Sequence, residues 1–453
     1  MSKVYKDKYD RMSNEPVKKL ISSLAVPTII TMLVSAVYNM ADSFFVGKID
    51  TTAVASIGIV FSVMTLLQAI GFFLGNGSGI SISTLLGEKN KEAASIYANV
   101  SFYTAFFAGI ILAVIGLLFS ENIAYLLGAT NSTVNNTTGY LKYILLGSPF
   151  ILSSFVLNNQ LRYQGSAIYS MIGIISGSIL NIIVDPLFIF TFNLGVKGAA
   201  IATVVSQFIG FIILLIGTKK GENIRISLKK FKPTLEIYKN ISKNGMPSLA
   251  RQGIQTVSTI CLNYACAPFG DAIVAGMSVF NRVTFLGFAV VIGFGQGYQP
   301  VCSFNNGAKN YKRVYDGYKF TIIITTIIIT VFSIITFIFA PQMISLFRDD
   351  AEVIHIGTQA LRYQCFAMIF LGYCTASNML MQSLKISGKA TILALLRQGI
   401  FYVPLMLILP RFFGSTGVTV VQPVADALSF ILTIFLVTPT AKKLKQKSFA
   451  NNK

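Results

Sequence analysis

The chain has 453 residues, 53% of them hydrophobic and only 12% charged, with 37 Lys and Arg against 17 Asp and Glu and a formal net charge of +20. A soluble domain carries about 25% charged residues, and a nucleic-acid binder gathers its basic residues beside a folded polar domain. The composition excludes both and describes a polytopic membrane protein. Five cysteines without a C-x-x-C spacing, and a single histidine, His355, in a polar loop near Asp349, Asp350 and Glu352, exclude a disulfide framework, a zinc site and Ser-His-Asp chemistry.

Apolar runs long enough to cross the hydrocarbon as helices occur twelve times, at 20–47, 52–82, 94–120, 138–161, 166–191, 196–218, 240–267, 272–303, 315–345, 356–383, 389–412 and 416–439. The Lys-rich start and the length of the first run argue against a cleavable signal peptide. Twelve spans put both termini on one side. That side carries an N-terminal arm, 1–19, with Lys3, Lys6, Lys8, Arg11, Lys18 and Lys19, a basic linker, 218–239, and a basic tail, 442–453, ending at Lys453. With the short loops, Arg162 among them, it holds 28 of the 37 basic residues, against Lys48, Lys197, Arg348 and Arg411 opposite. The positive-inside bias therefore predicts a multi-pass protein of the cell inner (cytoplasmic) membrane with both termini cytoplasmic.

An internal repeat divides the chain. Pro27, Val54-Ala55, Gly75-x-Gly77, Gly87-x-Lys89-Asn90 and Leu141-x-Tyr143 recur 220 residues later as Pro247, Val274-Ala275, Gly295-x-Gly297, Gly307-x-Lys309-Asn310 and Leu361-x-Tyr363. Gly195-x-x-Gly198 recurs 219 residues later as Gly414-x-x-Gly417. Each half holds six spans, so the repeat is parallel, about an axis along the membrane normal. The expected fold is an all-α integral membrane protein of twelve transmembrane helices in two six-helix lobes, 20–217 and 240–441, an architecture suited to alternating access. No phosphate-binding loop of the Walker type occurs, so ATP-driven pumping is not expected.

Charged residues inside spans are functional candidates by default. Among them are the acids Asp42, Asp185 and Asp426 and the bases Arg251, Arg282 and Arg397. The first half has two acids and no deeply placed base. At a rise of about 1.5 Å per residue, Asp42 lies roughly 33 Å along span 1 and Asp185 roughly 27 Å along span 5. Asn181 shares the face of Asp185 one turn below, and Thr203 lies about two turns in from the outer end of span 6. Asp42, Asn181, Asp185 and Thr203 can thus meet at one depth. Two carboxylates there cannot both stay ionised cheaply, so the site calls for a proton or a hard cation such as Na⁺. In the second half, Asp426 has Arg251, Arg282 and Arg397 as candidate ion-pair partners.

The chain resembles the MATE (multidrug and toxic compound extrusion) family, in its MepA-like bacterial branch, over nearly its whole length. The likeness rests on Tyr38-Asn39-Met40-Ala41-Asp42-Ser43-Phe44-Phe45-Val46-Gly47, Gly75-Asn76-Gly77, Leu86-Gly87-Glu88-Lys89-Asn90, Arg162-Tyr163-Gln164-Gly165, Asn181-Ile182-Ile183-Val184-Asp185-Pro186 and Gly195-Val196-Lys197-Gly198-Ala199-Ala200. The resemblance implies an antiporter that exports organic cations or drugs in exchange for H⁺ or Na⁺. It places the family's first-lobe acidic site on Asp42, Asn181, Asp185 and Thr203, adds Tyr140 as a tyrosine that hydrogen-bonds to that network, and gives Tyr38 and Asn158 as cavity-lining positions. The second-lobe acids of some members are absent: span 7 reads Gly245-Met246-Pro247-Ser248-Leu249-Ala250-Arg251-Gln252 and span 10 has no carboxylate. The alternative is a lipid-linked precursor flippase of the related superfamily, which needs several cavity cations. Neither reading makes the protein an enzyme or calls for a metal, a cofactor or nucleic acid. The expected partners are a small amphipathic, cationic substrate and the bilayer, with the chain acting as a monomer.

Overall fold

The structure, a computed structural model, describes residues 7–47 and 51–450, so Lys3, Lys6, Lys48 and Lys453 lie outside the described residues. The long helices in chain order are α2 (Val17–Gly47), α3 (Thr51–Gly87), α4 (Lys91–Leu126), α5 (Val134–Tyr163), α6 (Ala167–Pro186) and α7 (Gly195–Gly217), after a short α1 (Lys8–Asn14). The second half adds α8 (Leu235–Cys266), α9 (Asp271–Gly307), α10 (Tyr311–Ile338), the short α11 (Ala340–Ser345), α12 (Ala351–Ser383), α13 (Ser387–Leu395) and α14 (Tyr402–Ala450). Ten described helical stretches are long and apolar enough to cross a membrane, and the last, Ser387–Phe449, is 63 residues long, enough for two spans, and is broken by a kink at Gly414 (φ 59°, ψ −139°). Glu236, Lys239, Lys243 and Arg251 make α8 less apolar, but at 32 residues it supplies the twelfth span.

The packing pattern is that of a lipid-facing protein. On α10, Ile323, Ile327, Val331, Ile334 and Ile338 form an exposed stripe at helical spacing, whereas Thr321, Thr325, Ser333 and Thr336 are buried. Thr325 Oγ1 donates to Thr321 O at 2.6 Å, and Ser333 Oγ donates to Cys365 O on α12 at 2.6 Å. Apolar residues outside and hydroxyls inside, Thr325 and Ser333 hydrogen-bonded to backbone carbonyls, invert the soluble-protein arrangement.

The chain forms two compact units. One comprises residues 1–12 and 30–249, the other residues 13–29 and 250–453. In the first, α5 is the central helix, packed against α3, α4, α6 and α7; in the second, α12 holds that place, packed against α9, α10, α13 and α14. Relative to the expected lobes, each unit takes a short segment from the other half's first span: α2 is divided after Ile29 and α8 after Leu249. The cause is visible in two equivalent glycines. A Cβ on Gly77 would lie 2.2 Å from Ile241 O of α8, and one on Gly297 would lie 2.5 Å from Ala25 Cα of α2. These backbones touch because nothing but hydrogen stands between them.

The repeat persists into the turns. Lys89 and Lys309 both adopt positive φ (62° and 57°). The Asn that follows each caps the next helix, Asn90 Oδ1 accepting from Ala93 N and Asn310 Oδ1 from Arg313 N. Gly195 (φ 54°) and Gly414 (φ 59°) match in the same way at the start of the sixth span of each half.

Three expectations change. The ninth span ends at Ile338, not 345, because Pro341 opens the separate helix α11. His355 lies on the exposed first turn of α12, capped by Asp350, and not in a loop. The basic stretch 218–239 is docked on the first unit, Ile224 N donating to Gln164 Oε1 at 2.7 Å and Ser227 N to Asn99 Oδ1 at 2.6 Å. α1 joins it: Lys8 Nζ donates to Gly221 O at 3.1 Å and to Asn223 Oδ1.

Replacing Gly77 or Gly297 with Leu is expected to destabilise the protein by at least about 1–3 kcal/mol, since helix backbones must separate. Gly58→Ala, with nothing within 4 Å of its added Cβ, should be neutral or stabilising; thermal melting in detergent separates the two outcomes. Burial pushes the Lys8 amine from 10.5 down to about 7, with Glu222 opposing and Lys91 and Arg11 assisting the shift. An undocked Lys8 holds its proton up to about 10.5, so docking of α1 should strengthen as pH rises from 7 towards 10.5 and lose its pH dependence below 7. Hydrogen exchange of the α1 amides, corrected for intrinsic rate, should slow between pH 7 and 9, and Lys8→Met should flatten that dependence.

Candidate functional site

In the first unit three helices bring acids and amides to one level. Asp42 stands near the end of α2, five residues before Gly47, while Asn181 and Asp185 share the last turns of α6. Pro186 removes one donor from the helical ladder, and the chain continues as a π turn, Leu187–Thr191, immediately after Asp185. Asn181 Nδ2 donates to Asp185 Oδ1 at 3.1 Å and to Thr203 Oγ1 of α7 at 3.4 Å. Asp42 is the electrostatic neighbour of Asp185, and Tyr38 of α2 and Tyr140 of α5 are neighbours of both acids and of Thr203. The structure therefore brings together Asp42, Asn181, Asp185, Thr203, Tyr140 and Tyr38.

The oxygens outnumber the donors. Asp42 Oδ1, Asp185 Oδ2, Asn181 Oδ1 and Tyr140 Oη are buried without a hydrogen-bond partner. Unsatisfied acceptors at this depth are expensive, and no basic side chain is among the cluster's described partners. A set of hard oxygens with two carboxyls fits a proton or an alkali cation and not a soft metal. Among the described residues, no three His, Cys, Asp or Glu side chains gather into a metal centre.

One turn away lies a cavity of 140 Å³ within the same unit. Tyr38 lines it four residues before Asp42, Ser178 three before Asn181, and Gln207 four after Thr203. The cavity thus continues the acidic cluster along α2, α6 and α7, with Tyr38 common to both. Gln68 and Ser154 add polar groups, and Phe61, Met64 and Phe155 add apolar surface. Asn158 does not line it. Its Nδ2 donates to Ser170 Oγ at 2.6 Å, so this amide ties α5 to α6.

The second unit answers differently. Asp426 is paired with Arg397, whose Nε donates to Oδ1 at 2.7 Å. Gln422 Nε2 donates to the same oxygen at 2.9 Å and Gln364 Nε2 to Oδ2 at 2.6 Å. Asp426 is 1% exposed, and the guanidinium lies 4.5 Å above the Phe288 ring. Arg282 is exposed and outside this cluster, and Arg251 is not among the donors to Asp426. Of the three candidate partners, Arg397 alone forms the pair.

Sequence reasoning passed over Arg162, counted above only as a topological marker. It is 2% exposed, donates through Nη2 to Asn159 Oδ1 at 2.7 Å and Asn76 Oδ1 at 2.9 Å, and lies 4.8 Å over the Tyr163 ring. The signal was present: Asn159 precedes it by three residues, on the same helical face.

The MatE family profile matches the chain twice, over residues 27–187 and 247–408, starting at the 220-residue offset of the repeat. The chain is 29% identical over 428 residues to the multidrug export protein MepA of Staphylococcus haemolyticus (strain JCSC1435), covering 94% of each. It is similar to the crystal structure of MATE in complex with MaL6, with a TM-score of 0.92 at 26% identity over 98% of this chain and 100% of that one. It is also similar to an outward-facing conformation of a multidrug resistance MATE family transporter of the MOP superfamily, with a TM-score of 0.90 at 26% identity and the same coverage.

Arg397→Gln strands a buried carboxylate and is expected to cost about 3–5 kcal/mol. The double substitution Arg397→Gln with Asp426→Asn removes both charges and should recover most of that loss in thermal melting.

Proposed function

The chain belongs to the MatE family, and from that premise we propose that it is a secondary active antiporter exporting small amphipathic, cationic compounds across the cytoplasmic membrane in exchange for H⁺ or Na⁺. The observation that carries the proposal is the pair of acids Asp42 and Asp185, with unpartnered oxygens and no base among their described partners, one turn from a cavity. Two carboxyls in a low-dielectric site need positive charge from a proton, a hard ion or a cationic substrate. A site that takes either the coupling ion or the substrate's charge, but not both at full strength, exchanges one for the other. Driving force comes from the ion gradient and the potential, about 2.3 kcal/mol per charge per 100 mV.

The cavity supplies the rest of the recognition. Phe61, Phe155 and Met64 accept varied apolar bodies, and Gln68 and Gln207 offer both donors and acceptors. At 140 Å³ it is smaller than the roughly 300–1,000 Å³ of a drug-sized site, so admitting a substrate requires the lining to open, as alternating access does. The positive-inside count supports cytoplasmic termini. The flippase alternative needs several free cations in one cavity. Arg397 is already paired with Asp426 and Arg282 is exposed, which favours the export reading.

Asp42→Asn is expected to abolish gradient-driven efflux of cationic dyes from proteoliposomes, a loss of at least about tenfold given one lost coupling charge, while the protein still inserts and melts cooperatively. Imposing H⁺ and Na⁺ gradients separately identifies the coupling ion. Undiminished export by that variant would remove Asp42 from the coupling site.

A further inference from the structure

We propose that the second unit contains a subsite for the carboxylate of an aromatic amphiphile, formed by the free end of the Arg397 guanidinium beside Phe288. Arg397 belongs to the π turn Leu396–Phe401 that follows α13, ten residues from the start of that helix at Ser387 and therefore about 15 Å into the membrane. Its ion pair is one-sided. Nε alone reaches Asp426, although the planar fork of an arginine readily takes both oxygens of a carboxylate. The second oxygen of Asp426 is taken by Gln364, and Gln422 reinforces the first, so the acid is saturated by three donors. The two terminal nitrogens of Arg397 donate to none of the described residues, and its side chain remains 18% exposed. An arginine serving only to neutralise Asp426 would turn this end to the acid or to carbonyls, because unsatisfied N–H groups in hydrocarbon are costly.

The repeat supplies an independent argument. Counting back 220 residues before Gly414 and 219 after it, Phe288 corresponds to Gln68, Cys374 to Ser154, Arg397 to Gly177 and Asp426 to Gln207. All four counterparts line the first-unit cavity. The same place in the second bundle therefore carries a locked guanidinium over an aromatic face instead of amides and hydroxyls. Two parallel N–H donors match the two oxygens of a carboxylate, and Phe288 offers a flat apolar surface for the ring that bears it. The Arg397–Asp426 pair is neutral overall, so the subsite orients a carboxylate through hydrogen bonds without demanding a net anion, and zwitterionic substrates qualify.

The ligand class rests on the export reading above, and the experiment separates the two. Rhodamine 110 carries a free carboxylate and rhodamine 123 is its methyl ester, so the pair isolates that group. Binding of both dyes is measured by fluorescence polarisation with the full chain in phosphatidylcholine nanodiscs. The preference for acid over ester should fall about tenfold in the Arg397→Gln, Asp426→Asn double variant, the size expected for a charge-assisted hydrogen-bonded contact. Arg397→Lys, which keeps the charge but not the fork, should fall in between. An unchanged preference in both variants overturns the subsite, even if rhodamine 123 is exported and the export reading stands. An Arg397-dependent preference without gradient-driven export supports the subsite and overturns the antiporter. Binding of neither dye overturns both.

Discussion

A charge carried into hydrocarbon must be neutralised, and the two halves of this chain meet that demand in opposite ways. Asp426 is closed off by Arg397, Gln364 and Gln422, with every carboxyl oxygen engaged. Among the described residues Asn181 donates to Asp185, while one oxygen of each acid, Asp42 Oδ1 and Asp185 Oδ2, stays buried without a partner. A buried pair with internal compensation is at rest; an acid pair without it depends on something that arrives from solution. On the proposed reading, the balance of charge within each bundle, more than the identity of any single side chain, separates a structural element from a coupling element.

The duplicated scaffold makes this contrast meaningful. Lys89 and Lys309, Gly195 and Gly414, and the close contacts of Gly77 and Gly297 show that both halves solve their turns and crossings with the same local chemistry. Positions that face the interior of each bundle have diverged on that common frame. Where the first unit has Gly177 and Gln207 lining its cavity, the second places the charged pair Arg397 and Asp426. A backbone fixed by small residues at the crossings tolerates such replacement, because the helices are spaced by Gly-to-backbone contact and not by the bulky groups of the interior.

Much of this was legible in the sequence because membrane constraints are written one residue at a time. Apolar length gave the spans, and scarce intramembrane acids gave Asp42, Asn181, Asp185 and Thr203 as one cluster through helical rise alone. The helix ends were less legible: Pro341 and Phe339 split α11 from the ninth span within an unbroken apolar run. Asn158 was carried over as a lining residue; it shares the face of Ser154 and Phe155 one turn further along α5, where Ser170 of α6 takes up its amide. Arg162 was hidden by its location at a helix end, where a snorkelling surface residue and a buried anchor have the same sequence signature. The choice of Arg397 over Arg251 and Arg282 depended on which helices pack together, which no one-dimensional pattern encodes.

On the proposed reading, selection for positive charge in the first unit acts across a short distance and not by contact. No residue lining the cavity carries a formal charge, and the acids begin one turn further along the same three helices. A cationic group held among Tyr38, Gln68 and Gln207 would feel the acid pair through a medium of low dielectric, where Coulomb energy falls off slowly. Contact geometry would then matter little to affinity, while net charge would matter a great deal. Such an arrangement permits many shapes and one sign. On the same reading a proton or small cation held between Asp42 and Asp185 would compete with substrates that never touch them.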